Sequence, residues 1–483
     1  MPTYKTPGVF VEEISVFPPS VAEVETAVPA FVGYTEKHDR KGVSLLLEPT
    51  RIKSLVEYRE LFGGGARPDA DKLKVTLNAD LEPQTVEFEP THLLYYALQL
   101  FYANGGGPCY IVSVGTHDDD IDNTELTAGI NAVAKYDEPT MILFPDGIKL
   151  DNADQFAGLQ TTTLSQCQTL MDRIGVFDIR EVGATFDADV SEFRTKVGNN
   201  ALKYGAAYAP HLETIIPVNY RFDDIQLVDS AAEEKSLTEL STAAGIDTTT
   251  AGAAALDGSQ GQEAYELAIE DLKATNSIYA AVAAAIAAAR MTLPPSPAVA
   301  GVMAKVDRTR GVWKSPANVS LNLVAKPTVR IDDAIQDGLN VDANAGKSVN
   351  AIRTFAGKGI YVWGARTLAG NDNEWRYVSV RRFYNMVEES VKKSTGWAVF
   401  EPNAAPLWVK VKAMIENYLS QKWREGALAG AVADDAFFVK VGLGETMSAQ
   451  DILEGRLIVE IGMAAVRPAE FIILRFSHKM QES

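Results

Sequence analysis

Five histidines, two cysteines and one run of aspartates are the side chains from which a catalytic or metal centre could be assembled. His38, His92, His117, His211 and His478 never fall at the HxxxH or HExxH spacing that sets two imidazoles on one helical face, so a histidine metal site has no local support. Asp118, Asp119, Asp120 and Asp122 begin like a calcium loop. Such a loop needs glycine at its sixth position and glutamate at its twelfth, and those places hold Asn123 and Gly129, so a solvated loop is expected. Gly346-Lys347-Ser348 looks like the end of a phosphate loop, yet the glycine required five residues earlier is Val341. Gly105 to Gly107 lead from a helix into a strand, whereas phosphate cradles run from strand to helix. No G-x-S-x-G elbow occurs. Catalysis therefore has no local signature, and no metal or cofactor is expected. Triads can assemble from distant residues, which keeps an α/β enzyme as a rival reading.

A different pattern suits binding. Between Gly396 and Gly430 a short strand (Trp397, Val399) is expected to break at Glu401-Pro402-Asn403, with Asn403 as helix N-cap and Pro406 in the first turn. Trp408, Val411, Ile415, Leu419 and Trp423 then recur at helical spacing, and Lys410, Asn417, Gln421 and Arg424 form a polar stripe on the other side. One face goes to a core and the other stays free, as on an ordinary amphipathic helix with a solvated face.

The elements that must carry these residues are those of a long chain. The 483 residues, 46% of them hydrophobic, suffice for two or three domains. A net charge of -19 argues against a nucleic-acid partner. From Ala351 onward 17 Lys and Arg face 15 Asp and Glu, which leaves 28 against 49 in the first 350 residues, so the acidic load lies in the first part. Cys109 and Cys167 are too few for a disulfide framework, as in a reducing compartment. The start MPTYKTPGVFVEEI lacks the pattern of a secretory signal, and the apolar run Ile278 to Ala289 is too short for a bilayer, so assembly in the cytoplasm without membrane insertion is expected.

Val9, Phe10, Val11, Glu12, Glu13 and Ile14 read as a strand on a stiff tether, Phe17-Pro18-Pro19-Ser20. From Pro29 to Tyr208 strands and helices alternate in an α/β rhythm. The segment 223–262 reads as an exposed, loosely structured insertion with a short helix near Glu233 to Leu240, and helix is expected from Glu263 to Met291 and from Ala298 to Arg310. Arg376 to Lys393 is expected to begin as a strand and become a helix, and Phe437–Val441 and Leu457–Gly462 alternate like half-buried strands. Phe471, Ile472, Ile473, Leu474, Arg475 and Phe476 form a terminal strand, apolar on both faces, that needs sheet neighbours.

Six blocks carry a resemblance. TPGVFVEEI at the start, NGGGPCYIVSV, LPPSPAVAGVMAKVDRTRGVWKSPANVSL at 293–321, VNAIRTF at 349–355, FEPN at 400–403 and the closing GRLIVEIGMAAVRPAEFIILRF resemble, in this order, the contractile tail sheath proteins of phages and phage-tail-like particles. The nearest likeness is to sheaths of extracellular contractile injection systems. The resemblance implies a multi-domain fold, α/β and α+β: an arm at 1–22, an outer α/β domain at 23–222 with the insertion 223–262 and a helical return at 263–345, an inner α+β domain at 346–468 facing a tube, and a second arm at 469–483. It implies six-fold rings stacked helically, arm strands exchanged between subunits, an inner tube protein as partner (with Lys410, Asn417, Gln421 and Arg424 as candidate contact), and baseplate and terminator or cap proteins at the ends. It implies a structural role, without catalysis, in a released extracellular particle or virion tail. A non-contractile tube, shell or filament subunit is the alternative.

Overall fold

Runs that are apolar on both faces form the middle of one large sheet in the computed structural model, which describes residues 20–69, 72–244, 256, 261–342 and 344–473. Its nine strands are β1 (Pro29–Thr35), β2 (Thr50–Ile52), β3 (Cys109–Thr116), β4 (Met141–Leu143), β5 (Ile174–Asp178), β6 (Gly205–Ala209), β7 (Val319–Ser320), β8 (Val349–Phe355) and β9 (Gly359–Val362). They lie in the order β7-β9-β8-β6-β5-β4-β1-β3-β2. The six from β8 to β3 are parallel, and antiparallel strands close both edges. Parallel strands need covering on both faces, and the buried side chains alternate accordingly. Phe31, Ile111, Leu143, Val176 and Tyr208 belong to one core, and their chain neighbours Val32, Val112, Ile142, Phe177 and Ala207 to the other.

Helices supply the covers. Leu94, Leu98 and Phe101 of α1 (Leu94–Ala103) enter the first core. Leu126 and Ile130 of α2 (Asn123–Val133), Leu159 and Leu164 of α3 (Ala153–Leu170), and Val190 and Phe193 of α4 (Phe186–Lys196) enter the second. Each of these three starts at a side-chain cap, Asp122, Asn152 and Thr185, which satisfies orphan N–H groups of the first turn. Val299 and Met303 of α5 (Ser296–Arg310) complete the first core.

The described residues divide into two compact units: residues 25–385 with 467–473, and residues 20–24 with 386–466. The chain passes from one to the other inside α6 (Val378–Ser394). In the smaller unit α7 (Ala405–Arg424) packs on a two-stranded antiparallel sheet of β10 (Phe437–Lys440) and β11 (Glu460–Met463), with Val439 opposite Ile461. Ser448 and Asp451 form their capping box ahead of the short helix Ala449–Leu453. No helix among the described residues is long and apolar enough to cross a membrane.

Several expectations change. The segment 223–262 is not loose where it is described: Ile225–Val228 pairs in parallel with Leu73–Leu77, burying Leu227 and Val228, and Ser236 caps a helix at Leu237–Ala243. Four strand residues are diluted by the acidic and small residues around them. The helix expected at Glu263 to Met291 is two, Gln262–Thr275 and Ser277–Ala288, because Asn276 leaves helical geometry and accepts the Tyr279 N–H at 3.0 Å. Residues 346–385 belong by their contacts with the larger unit, since Val349–Phe355 is a strand of the nine-stranded sheet; the C-terminal segment of the smaller unit begins at 386. Trp397 lies in a 3-10 turn, Gly396–Ala398, in place of a strand, while the extended start expected at Arg376 shrinks to one antiparallel bridge, Tyr377 with Arg366, before α6 begins at Val378.

Candidate assembly surfaces

The first five parallel strands in chain order, β1, β3, β4, β5 and β6, lie in space as second, first, third, fourth, fifth. In sheets wound this way a ligand enters outside the carboxyl ends of the strands where the connections diverge, here between β1 and β4. The chain fills that place itself. The fully buried Asp146 carboxylate accepts the Tyr34 N–H at 2.9 Å on one oxygen, and those of Leu93 and Leu94 at 2.5 and 3.2 Å on the other. Gly33 makes the room, because a Cβ there would stand 2.4 Å from the same carboxylate.

Several other side chains with catalytic potential have structural partners, while the buried His92 Nε2 has none among the described residues, and Asp137, Asp172 and Glu389 bring carboxylate oxygens within 4.8 Å of one another. Ser296 gives its N–H (2.7 Å) and its hydroxyl (2.5 Å) to Asp178, whose carboxyl burial pushes up to about 6. His211 sets Nε2 2.8 Å from the Ile179 carbonyl, a contact that requires the proton on that nitrogen. His92 and His117 stack at 5.3 Å. Burial, with the charge of His92 second, takes His117 down to about 4. The Lys347 ammonium donates to the Arg194 carbonyl and the Ser348 hydroxyl to that of Asn340, so the lysine and serine of the apparent phosphate loop are brackets. Asp119 takes the N–H and hydroxyl of Thr116, and Asp122 caps α2, which makes the aspartate run a turn and a helix start. His478 lies outside the described residues.

On α7 the polar stripe is free. Lys410, Asn417, Gln421 and Arg424 are all exposed on one side of the helix, with Gln421 donating to Glu425 at 2.9 Å. The buried side consists of Leu407, Val411, Met414, Ile415, Tyr418, Leu419 and Lys422. The two tryptophans expected in that face lie at its margins: Trp408 donates its ring N–H to Asn403 at 2.7 Å and Trp423 to the Gly430 carbonyl at 3.0 Å. Asn403 is therefore a clasp for Trp408, and Ala404 takes the N-cap position without a side-chain bond. Lys422 was hidden to spacing arguments, although it falls one turn after Tyr418 in the buried row. Burial would lower its pKa, but ion pairs with Glu23 and Glu425 outweigh burial and raise it.

That pair anchors the start of the described chain in the smaller unit, helped by the Ala22 and Val24 N–H groups donating to Ser394 and Ser390 at 3.0 and 3.1 Å. Val9 to Ile14 lie outside the described residues, as do Leu474, Arg475 and Phe476. Phe471, Ile472 and Ile473 have no regular structure within the single chain and are 70%, 79% and 77% exposed. The smaller unit also bares Val399, Phe400, Val409, Val432, Phe438, Leu443, Leu453 and Ile458, Phe400 completely. Exposed apolar side chains that join into one contiguous patch mark association sites.

Residues 370–479 match the phage tail sheath C-terminal domain family. A putative prophage major tail sheath protein of Pseudomonas aeruginosa (strain UCBPP-PA14) is 26% identical over 177 residues, 37% of this chain and 44% of that one. This chain spans less than half the length of the curated relatives it matches. Two solved structures are similar throughout. One is the PVC sheath complex of an extracellular contractile injection system in the contracted state, with TM-score 0.64 and 29% identity over 99% of both chains. The other is the helical sheath of the anti-feeding prophage, also contracted, with TM-score 0.63 and 29% identity over 99% of this chain and 100% of that one.

Proposed function

We propose that this chain is a contractile tail sheath protein, the structural subunit of a sheath that polymerises as stacked six-membered rings around an inner tube and shortens to drive the tube through a target envelope. The observation that carries this reading is the apolar surface that one copy leaves bare, concentrated in the smaller unit and at Phe471, Ile472 and Ile473. A two-stranded sheet such as β10–β11 is marginal alone and offers main-chain edges. Strands at Val9 to Ile14 and Phe471 to Phe476, supplied by neighbouring copies, add to such sheets by β-augmentation. About five main-chain hydrogen bonds at roughly 0.5 to 1.5 kcal/mol each hold an arm by several kcal/mol.

The C-terminal part of the chain meets the tube, and the acidic α/β part meets solvent. The α7 stripe of Lys410, Asn417, Gln421 and Arg424 touches the tube through polar contacts that give way on firing. Baseplate and terminator or cap proteins bound the polymer. The subunit catalyses nothing and needs no cofactor: the extended lattice is metastable, and conversion to a shorter, wider lattice with more buried contact supplies the work. The particle acts outside the producing cell.

Electron microscopy of particles purified with this chain and its tube protein, before and after mild guanidinium or acid, tests the proposal. Striated sheaths that shorten and widen around an exposed tube are expected. One polymer form under every condition would replace contraction with a static role, and unpolymerised globular particles would end the proposal.

A further inference from the structure

Every hydrogen bond described for residues 467–473 ends on one carboxylate, that of Glu470. Arg366 meets it side-on, Nε to one oxygen at 2.9 Å and Nη2 to the other at 2.6 Å, the fork that suits a carboxylate. Asn340 Nδ2 donates to the first oxygen at 3.0 Å and the Tyr377 hydroxyl to the second at 3.1 Å. Four donors fill the acceptor sites of an ionised carboxylate.

The socket is built on the sheet. Arg366 is 3% exposed, and its backbone N–H and carbonyl are both held by the side chain of Asn350 on β8, at 2.7 Å each. Its Nη1 donates to the Asn340 carbonyl at 3.1 Å. Burial would raise the Glu470 pKa, but the Arg366 and Asn340 bonds outweigh burial and hold it below the ordinary range. One residue later the chain changes character, and Phe471, Ile472 and Ile473 are bare.

We infer that Glu470, seated in the socket of Arg366, Asn340 and Tyr377, is the fixed root of the C-terminal arm: it binds within its own chain, and the exchange of strands between copies begins at Phe471. The inference rests on the arm exchange proposed above. An arm gripped at its tip by a neighbour transmits force only if its departure point holds. Peeling residues 467–470 away would lengthen the tether by about 13 Å, at roughly 3.3 Å per extended residue. The root resists because its release leaves the buried Arg366 guanidinium without its counter-charge.

Charge reversal in full-length chains assembled with the tube protein tests this, with sheath polymer measured by sedimentation and microscopy. Arg366→Glu and Glu470→Arg should each lower polymer on the order of tenfold or more, and Glu470→Gln, which keeps the shape, should also lower it. Both reversals in one chain should restore polymer. An equal mixture of the two single variants should not, since each root closes within its own chain. Polymer recovered in the mixture would make the pair a contact between copies and overturn the inference. Unimpaired polymer from either reversal or from Glu470→Gln would overturn it too, as would a double reversal that melts cooperatively yet fails to assemble. If the unaltered chain forms no polymer with its tube protein, the sheath reading itself fails, a result distinct from all of these.

Discussion

Burial pushes the Asp178 carboxyl up from an ordinary 3.8 to about 6, against the Ser296 donors that pull it down, and takes the His117 imidazole from 6.5 to about 4. The folded chain therefore binds the Asp178 proton more tightly than the unfolded chain does. That contribution to stability is complete below about 3.8 and is lost as pH rises to about 6. It binds the His117 proton less tightly, so the contribution of His117 is complete above 6.5 and is lost as pH falls to about 4. Each swing is on the order of 3 kcal/mol at about 1.36 kcal/mol per pH unit, and between pH 4 and 6 they oppose each other. Thermal melts across that window should show Asp178→Asn losing stability toward acid and His117→Gln gaining it. Unchanged profiles in both variants would refute the assignment. Gly33→Ala belongs to the same scale. Its methyl would push the Asp146 carboxylate off three buried N–H groups, and a loss of about 3 kcal/mol or more in denaturant melts is expected.

At the scale of the element, α7 separates fold from contact. Leu419→Ala should destabilise the subunit by about 2 to 5 kcal/mol, since Leu419 is fully buried. Lys410→Glu with Arg424→Glu should leave the melting temperature nearly unchanged and weaken co-sedimentation with the tube protein. Normal tube binding by that double variant would remove the stripe as the contact. This helix also shows what was legible. The apolar spacing found Val411, Ile415 and Leu419 and the free stripe, because a 3.6-residue period is a local property. It could not find the role of Lys422, whose partner Glu23 lies far away in the sequence and is brought in only by the fold. The Glu470 socket was illegible for the same reason, drawing on Asn340, Arg366 and Tyr377. The break at Asn276 was a local signal of the kind that caps helices, overridden by the long alanine-rich run around it.

For the whole molecule, the α/β rhythm was visible as alternating strands and helices, but the winding order was not, since nothing in β3 states that it lies beside β1. The smaller unit was misplaced by some forty residues because β8 and β9 follow a long helical stretch yet pair back onto a sheet begun near residue 29. Deleting the first fourteen residues should leave a monomer with an unchanged melting transition and abolish long sheaths in electron micrographs. Normal contractile particles from that deletion would sink the role of the N-terminal arm. Between the units the chain crosses three times, at 24/25, 385/386 and 466/467. Because the number is odd, the described N-terminal segment belongs to the smaller unit and the described C-terminal segment to the larger. A nick at 385/386 would thus leave two fragments that each carry a piece of both units, and they would stay clasped twice without a covalent link, by Lys422 on Glu23 in the smaller unit and by Arg366 on Glu470 in the larger.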